Sequence, residues 1–114
     1  MITINIAKDF AVRPLGRYHP KDGPNTGERF RRDFLVPNLK KSDQKILIDF
    51  GSLKMITSSF MEEAFGGLVR EEAFPVDELL ERIEFNCSDD FDEMYAEEIK
   101  GYIKDAADEK GKVS

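Results

Sequence analysis

The chain has 114 residues, 40% hydrophobic and 35% charged, which is the size and balance of one folded domain and excludes a disordered tail. A net charge of −6 disfavours nonspecific nucleic-acid binding, and the single cysteine, Cys87, excludes an internal disulfide or a cysteine-based zinc site. No apolar run is long enough to span a membrane, and MITINIAKDF lacks a basic segment followed by a long apolar stretch, so a cytoplasmic location is expected.

Ile2, Ile4 and Ile6 alternate with Thr3 and Asn5, the period-two pattern of a half-buried strand. Phe10 to Leu15 is a weaker second strand, ended by Pro14 and Gly16. Residues 16–27 are rich in glycine, proline and polar side chains and read as a loop, with 17–25 expected to be mobile. His19 is the only histidine and has no cysteine or acidic cluster at ligand spacing, so no metal role is expected.

A helix follows from Gly27 to Val36, capped by Asn25 or Thr26 and stopped by Pro37. Phe30 and Phe34 share one face, which leaves Arg29, Arg31 and Arg32 as a solvated surface or a phosphate-binding patch. The apolar run in 45–50 (Lys45 to Phe50) reads as the central strand, buried on both faces. After a turn, a helix from Ser59 to Arg70 carries a stripe of Phe60, Met61, Ala64, Phe65, Leu68 and Val69, with Glu62, Glu63 and Arg70 opposite. Ser59 and Glu62 have capping-box spacing. Gly66 and Gly67 each cost a helix roughly 1 kcal/mol, which points to close packing against a neighbour.

Pro75 opens a short helix to Leu80, and Ile83, Phe85 and Cys87 form one side of a further strand. The final helix runs from Asp89 to Ala107, capped by Ser88, with Phe91, Met94, Tyr95, Ile99, Tyr102, Ile103 and Ala106 facing inward. Residues 1–107 form one domain and 108–114 a flexible C-terminal tail. The fold class is α/β, with a mixed sheet of about four strands and three to four helices.

Charge divides the chain, because residues 1–57 carry 11 Lys/Arg against 6 Asp/Glu and residues 58–114 carry 6 against 17. There is neither a Gly-x-Ser-x-Gly elbow nor a phosphate loop ending in Gly-Lys-Ser/Thr, so neither catalysis nor a cofactor is expected. Cys87 reads as a structural thiol. The most informative arrangement is a buried strand leading through a short turn to a helix start at Ser58-Ser59. Free backbone N–H groups and two hydroxyls there form a natural place for phosphate, bound or covalently attached. The plain alternative is that Ser59 caps the helix.

The stretch ILIDFGSLKMITSSFMEEAFGGLV resembles the signature of STAS domains, in which a strand ending in Asp leads to Asp-Ser-Ser-Gly at a helix start. Over residues 1–105 the chain is similar to the STAS-like family of unknown function. The shared features are Gly16-Arg17, the run Thr26-Gly27-Glu28-Arg29-Phe30-Arg31, Ile48-Asp49-Phe50 and Ser58-Ser59-Phe60. Thr57 stands where the STAS signature has aspartate, and Phe60 where it has glycine. STAS proteins are anti-sigma factor antagonists and related switches. The resemblance implies a non-enzymatic, intracellular, regulatory protein-interaction module. Its implied partner is a GHKL-type ATPase or kinase, or a transcription-regulatory protein. The short apolar runs argue against a membrane partner, and the net charge disfavours nucleic acid. Ser59 aligns with the phosphorylated serine and Ser58 with the residue before it. The implied partner surface comprises Arg17, Thr26, Gly27, Arg29, Asp49, Thr57 and Phe60. The rival reading is a small nucleotide- or phosphate-binding protein or enzyme using the start at Ser58-Ser59 and the Arg-bearing 16–32 region. Nucleic-acid binding by the basic half is the third.

Overall fold

The computed structural model describes residues 1–113, with side-chain surroundings to Glu109. Three short strands, β1 (Ile2–Asn5), β2 (Ile46–Asp49) and β3 (Ile83–Asn86), pair in parallel in the order β1-β2-β3. Ile2, Ile46 and Ile83 lie in register at one end, and Asn5, Asp49 and Asn86 at the other. The sheet is thus parallel and three-stranded among the described residues, where a mixed sheet of about four was expected. The expected second strand, Phe10 to Leu15, does not form. Phe10 ends a π turn, and residues 11–15 are irregular. The carbonyls of Val12 and Pro14 accept the N–H groups of Lys54 and Thr57 at 2.8 and 3.3 Å instead of entering the sheet. Between this stretch and β1, Ile6–Phe10 winds into a single π turn, in which Asn5 Oδ1 accepts the Lys8 N–H at 3.0 Å and Asp9 Oδ2 accepts the Asn5 N–H at 2.8 Å. These local bonds satisfy backbone groups that a strand would have had to pair.

Ile46 and Ile48 of β2 are buried while Leu47 and Asp49 are half-buried, so the strand is covered on one face and not on both. Strands taken in chain order, joined by right-handed crossovers, place their helices on the same side of the sheet. The other face presents Thr3, Leu47 and Glu84 in one row and Asn5, Asp49 and Asn86 in the next.

Helix α1 is continuous through Gly27–Phe30, a π-wound Arg31–Leu35 and Val36–Lys41. It passes Pro37, where it was expected to stop. Proline cannot donate to the preceding turn, and the wider winding just before it absorbs that loss. Asn38 Nδ2 donates to the Phe34 carbonyl at 2.7 Å, a side chain serving the same turn. At the far end Arg82 donates to the carbonyls of Leu39 at 3.1 Å and Ser42 at 2.5 Å, closing the C-terminus of α1.

Helix α2 is likewise continuous through Ser58–Met61, a π-wound Glu62–Gly66 and Gly67–Arg70, and α3 spans Val76–Arg82. Helix α4 spans Asp90–Val113, beyond the boundary expected at Ala107; Ser114 lies outside the described residues. Asp89, not Ser88, caps it: Asp89 Oδ1 accepts the Asp92 N–H, and Asp92 reaches back to the Ser88 N–H, both at 2.9 Å. That reciprocal pair turns Asp92 inward, and Phe91 and Met94 are left 66% and 47% exposed rather than on the inner stripe. Among the described residues no helix is long and apolar enough to cross a membrane.

The core lies between the covered face of the sheet and the helices. Phe30, Phe50, Phe60 and Phe65 are fully buried. Phe10, from the π turn, packs edge-on against Phe30 and Phe34 with ring centroids 5.1 and 5.5 Å apart.

Candidate functional site

The start of α2 is set by Thr57. Its hydroxyl accepts the Phe60 N–H at 3.2 Å and also the Gly16 N–H, 41 residues away in the chain, at 3.2 Å. Thr57 is therefore the cap, and the expected Ser59–Glu62 capping box does not form. Ser59 Oγ sits 3.2 Å from Thr57 Oγ1, inside the first turn, and Glu62 is held by arginines instead. Ser58 is the exposed hydroxyl of the pair, and it shares a hydrogen bond with Tyr102 of α4.

One extended segment bridges the starts of α1 and α2. Gly16 gives its N–H to Thr57, while the carbonyls of Gly16 and Arg17 accept the first N–H groups of α1, from Gly27 and Glu28, each at 2.9 Å. Gly16 has φ +85, and a Cβ there would press on Asp22, so glycine is required. Thr26 caps α1 by accepting the Arg29 N–H at 3.3 Å. The loop expected to be loosely held is tied: Asp22 Oδ2 accepts the N–H groups of Arg17 and Tyr18 at 3.3 and 3.0 Å, and Leu15 donates to the Asn25 carbonyl at 2.9 Å. A short acidic side chain folding back on its own loop supplies the order that apolar burial does not.

Behind this surface lies an ion-pair network. Arg31 and Glu63 are 4% and 2% exposed and 2.7 Å apart, and Arg31 also donates to the Glu63 carbonyl at 2.6 Å and to Glu72 at 3.1 Å. Arg70 bridges Glu62 at 2.8 Å and Glu63 at 3.1 Å, and Arg17 closes on Glu62 at 2.5 Å. Helical periodicity had placed Arg31 on a solvated face and Glu62 and Glu63 opposite the buried stripe. Two glycines explain the difference. A Cβ at Gly27 would overlap the Phe60 carbonyl, and one at Gly67 would overlap the Arg31 guanidinium. Their absence lets α1 and α2 approach until polar side chains on facing turns are enclosed. Gly66-Gly67 inside a helix was the one visible sign of this approach.

The network makes the site sensitive to acid. Burial pushes the Glu62 carboxyl up, but hydrogen bonds from Arg70 and Arg17 outweigh it and hold the group below the usual carboxylate range. A folded-state value below the unfolded one, near 4.3, means the contribution is present above that pH and is lost as pH falls through the lowered value. Urea midpoints measured from pH 7 to pH 3 should fall below about pH 4.3, and fall less steeply in Glu62→Gln. Parallel slopes for the two proteins would exclude Glu62 as a contributor.

The residues singled out from the sequence are dispersed. Thr26, Gly27 and Phe60 are buried and face other parts of the same chain. Arg17, Arg29, Thr57 and Ser59 are partly exposed. Arg29 lies 5.1 Å from the Phe10 ring centroid and donates to the Pro24 carbonyl at 2.9 Å. Arg17, Arg29 and Arg31 are thus all engaged within the chain. Asp49 accepts the Gly51 N–H at 3.0 Å and lines a different crevice, with Leu53, Met55 and Phe91. Burial, with Asp92 and Glu93 nearby, pushes the Cys87 thiol up, away from nucleophilic thiolate.

A family model described as a STAS-like domain of unknown function (DUF4325) matches residues 26–91. No curated protein and no solved structure matches the chain.

Proposed function

We propose that this chain, which belongs to the STAS-like domain family of unknown function, is a non-enzymatic intracellular regulatory module whose partner reads the start of α2. The observation that carries the reading is the joint cap at Thr57. One hydroxyl holds both the first turn of α2 and the Gly16-Arg17 segment, so a change at this helix start reaches the adjoining loop directly. A GHKL-type ATPase or kinase, acting on Ser58 or Ser59, fits this arrangement. Ser58 has the accessible hydroxyl, and a phosphate on either serine would lie over free N–H groups at the positive end of α2. It would also stand one turn from Glu62, where like charge and competition for Arg17 would loosen the loop. The phosphate-binding rival is less well supported, since the arginines it needs are spent on internal partners.

The test uses the ATPase that co-purifies with the protein from its native cell. Incubation with ATP is expected to place phosphate on Ser58 or Ser59, and Ser58→Asp or Ser59→Asp is expected to weaken partner affinity without unfolding the domain. Thr57→Ala should cost about 1 kcal/mol of stability as a lost cap, whereas Ser59→Ala should cost little. Equal partner affinity for the wild type and both aspartate variants would defeat the reading. Calorimetric titration with free nucleotide should be silent, and submillimolar binding would favour the rival.

A further inference from the structure

The sheet has an unpaired edge with a groove beside it. β3 pairs with β2 on one side, and alternate residues of any strand turn their N–H and C=O groups to the other. At the start of β3 the Ile83 N–H is taken by the Leu79 carbonyl at the end of α3, and among the described residues no other loop or turn backbone group bonds to β3. A groove of about 670 Å³ runs along it. Its lining takes Leu47 and Glu84 from the open face of the sheet and Ile83 and Phe85 from the covered face, so it wraps around the free edge itself. Leu80 of α3 and Ala96 of α4 complete an apolar floor.

The rim is acidic. Glu81, Glu84, Glu93 and Glu97 line it against one cation, Lys100. Lys100 is already committed, 3.5 Å from Glu97 and 5.9 Å from the Phe85 ring centroid. Lys45 of β2 offsets Glu84 at 3.2 Å, which leaves the rim negative.

We propose that this edge accepts an extended, cationic segment of a partner protein as a fourth strand, with alternate apolar and Lys/Arg side chains. The free edge asks for backbone partners, which a strand offers and a helix does not. Apolar side chains at every second position would enter the Leu80–Phe85–Ala96 floor, and the intervening cations would meet the glutamates. A second copy fits poorly. Its own β3 would set glutamates against glutamates, and its β1 presents Thr3 and Asn5 without positive charge while burying Ile4 in its own core.

The probe is a blocked eight-residue peptide alternating lysine and valine, compared with its glutamate–valine counterpart and with a lysine–valine peptide N-methylated at alternate residues. Cys87 lines the groove, so its rate of modification by a thiol reagent reports occupancy. The lysine–valine peptide is expected to bind and to slow that modification several-fold. N-methylation should weaken binding about tenfold by removing strand pairing, and the Glu84→Lys/Glu97→Lys variant should weaken it about tenfold or more. Both substituted side chains are well exposed, so the variant should fold normally, and its thermal midpoint checks this. No binding at millimolar peptide, equal binding of the glutamate–valine peptide, or indifference to N-methylation would overturn the proposal. Self-association of the chain alone in sedimentation, abolished by Glu84→Lys, would also overturn it by making a second copy the occupant.

Discussion

Glu63→Ala is expected to destabilise the domain by about 3–5 kcal/mol, a large share of the ~5–15 kcal/mol that holds a small domain together. The side chain is 2% exposed and supplies the carboxylate for both Arg31, at 2.7 Å, and Arg70, at 3.1 Å. Removing it strands the buried Arg31 guanidinium, which keeps only the Glu63 carbonyl and the partly exposed Glu72. The cost is that of an unpaired buried charge, and it exceeds what the pair contributes relative to an apolar packing. The double variant Arg31→Met/Glu63→Leu is therefore expected to recover most of the loss, since neither charge is then left alone. Urea unfolding of the single and double variants at neutral pH measures both. A Glu63→Ala midpoint within about 0.5 kcal/mol of wild type would mean that solvent reaches the network more freely than its burial implies.

Phe65→Ala is expected to cost about 3–5 kcal/mol, and Phe65→Asp to abolish folding. Phe65 is fully buried, and its ring stands 6.2 Å from that of Phe30 on α1 and 6.4 Å from that of Phe85 on β3. It thus joins a helix on one side of α2 to the sheet, and truncation opens a cavity that neither neighbour can fill without moving its own element. Phe65→Leu keeps most of the volume and should cost clearly less than the alanine variant. Thermal midpoints of the three variants rank these expectations. An unchanged midpoint in Phe65→Asp would remove Phe65 from the core.

Periodicity read along the chain succeeded where one face of an element meets water and the other meets the core. Ile2 and Ile4, the Ile46–Ile48 pair, and Ile83 with Phe85 alternate as strands do. The stripe from Phe60 to Val69 is buried as its spacing required. It failed at positions decided by contacts between distant segments. Thr57 caps α2 because Gly16 is delivered to the same hydroxyl. Glu62 leaves the capping geometry because Arg17 and Arg70 hold it. Phe91 and Met94 stay outside because Asp92 turns inward to the Ser88 N–H.

The sequence by itself determined the α/β class, the approximate limits of its main elements, and the presence of a helix start at Ser58-Ser59. Each follows from local rules: the spacing of apolar side chains, the φ of glycine and proline, and the unpaired N–H groups of a first turn. Only the tertiary structure decided the number and direction of the strands, the one-sided cover of the sheet, and the Arg31–Glu63 network. The same holds for the bridge from Gly16 to Thr57 and the free acidic edge of β3. These depend on which faces approach one another. Gly27 and Gly67 permit a close approach of α1 and α2 that no periodicity records, because the information lies in the absence of a side chain.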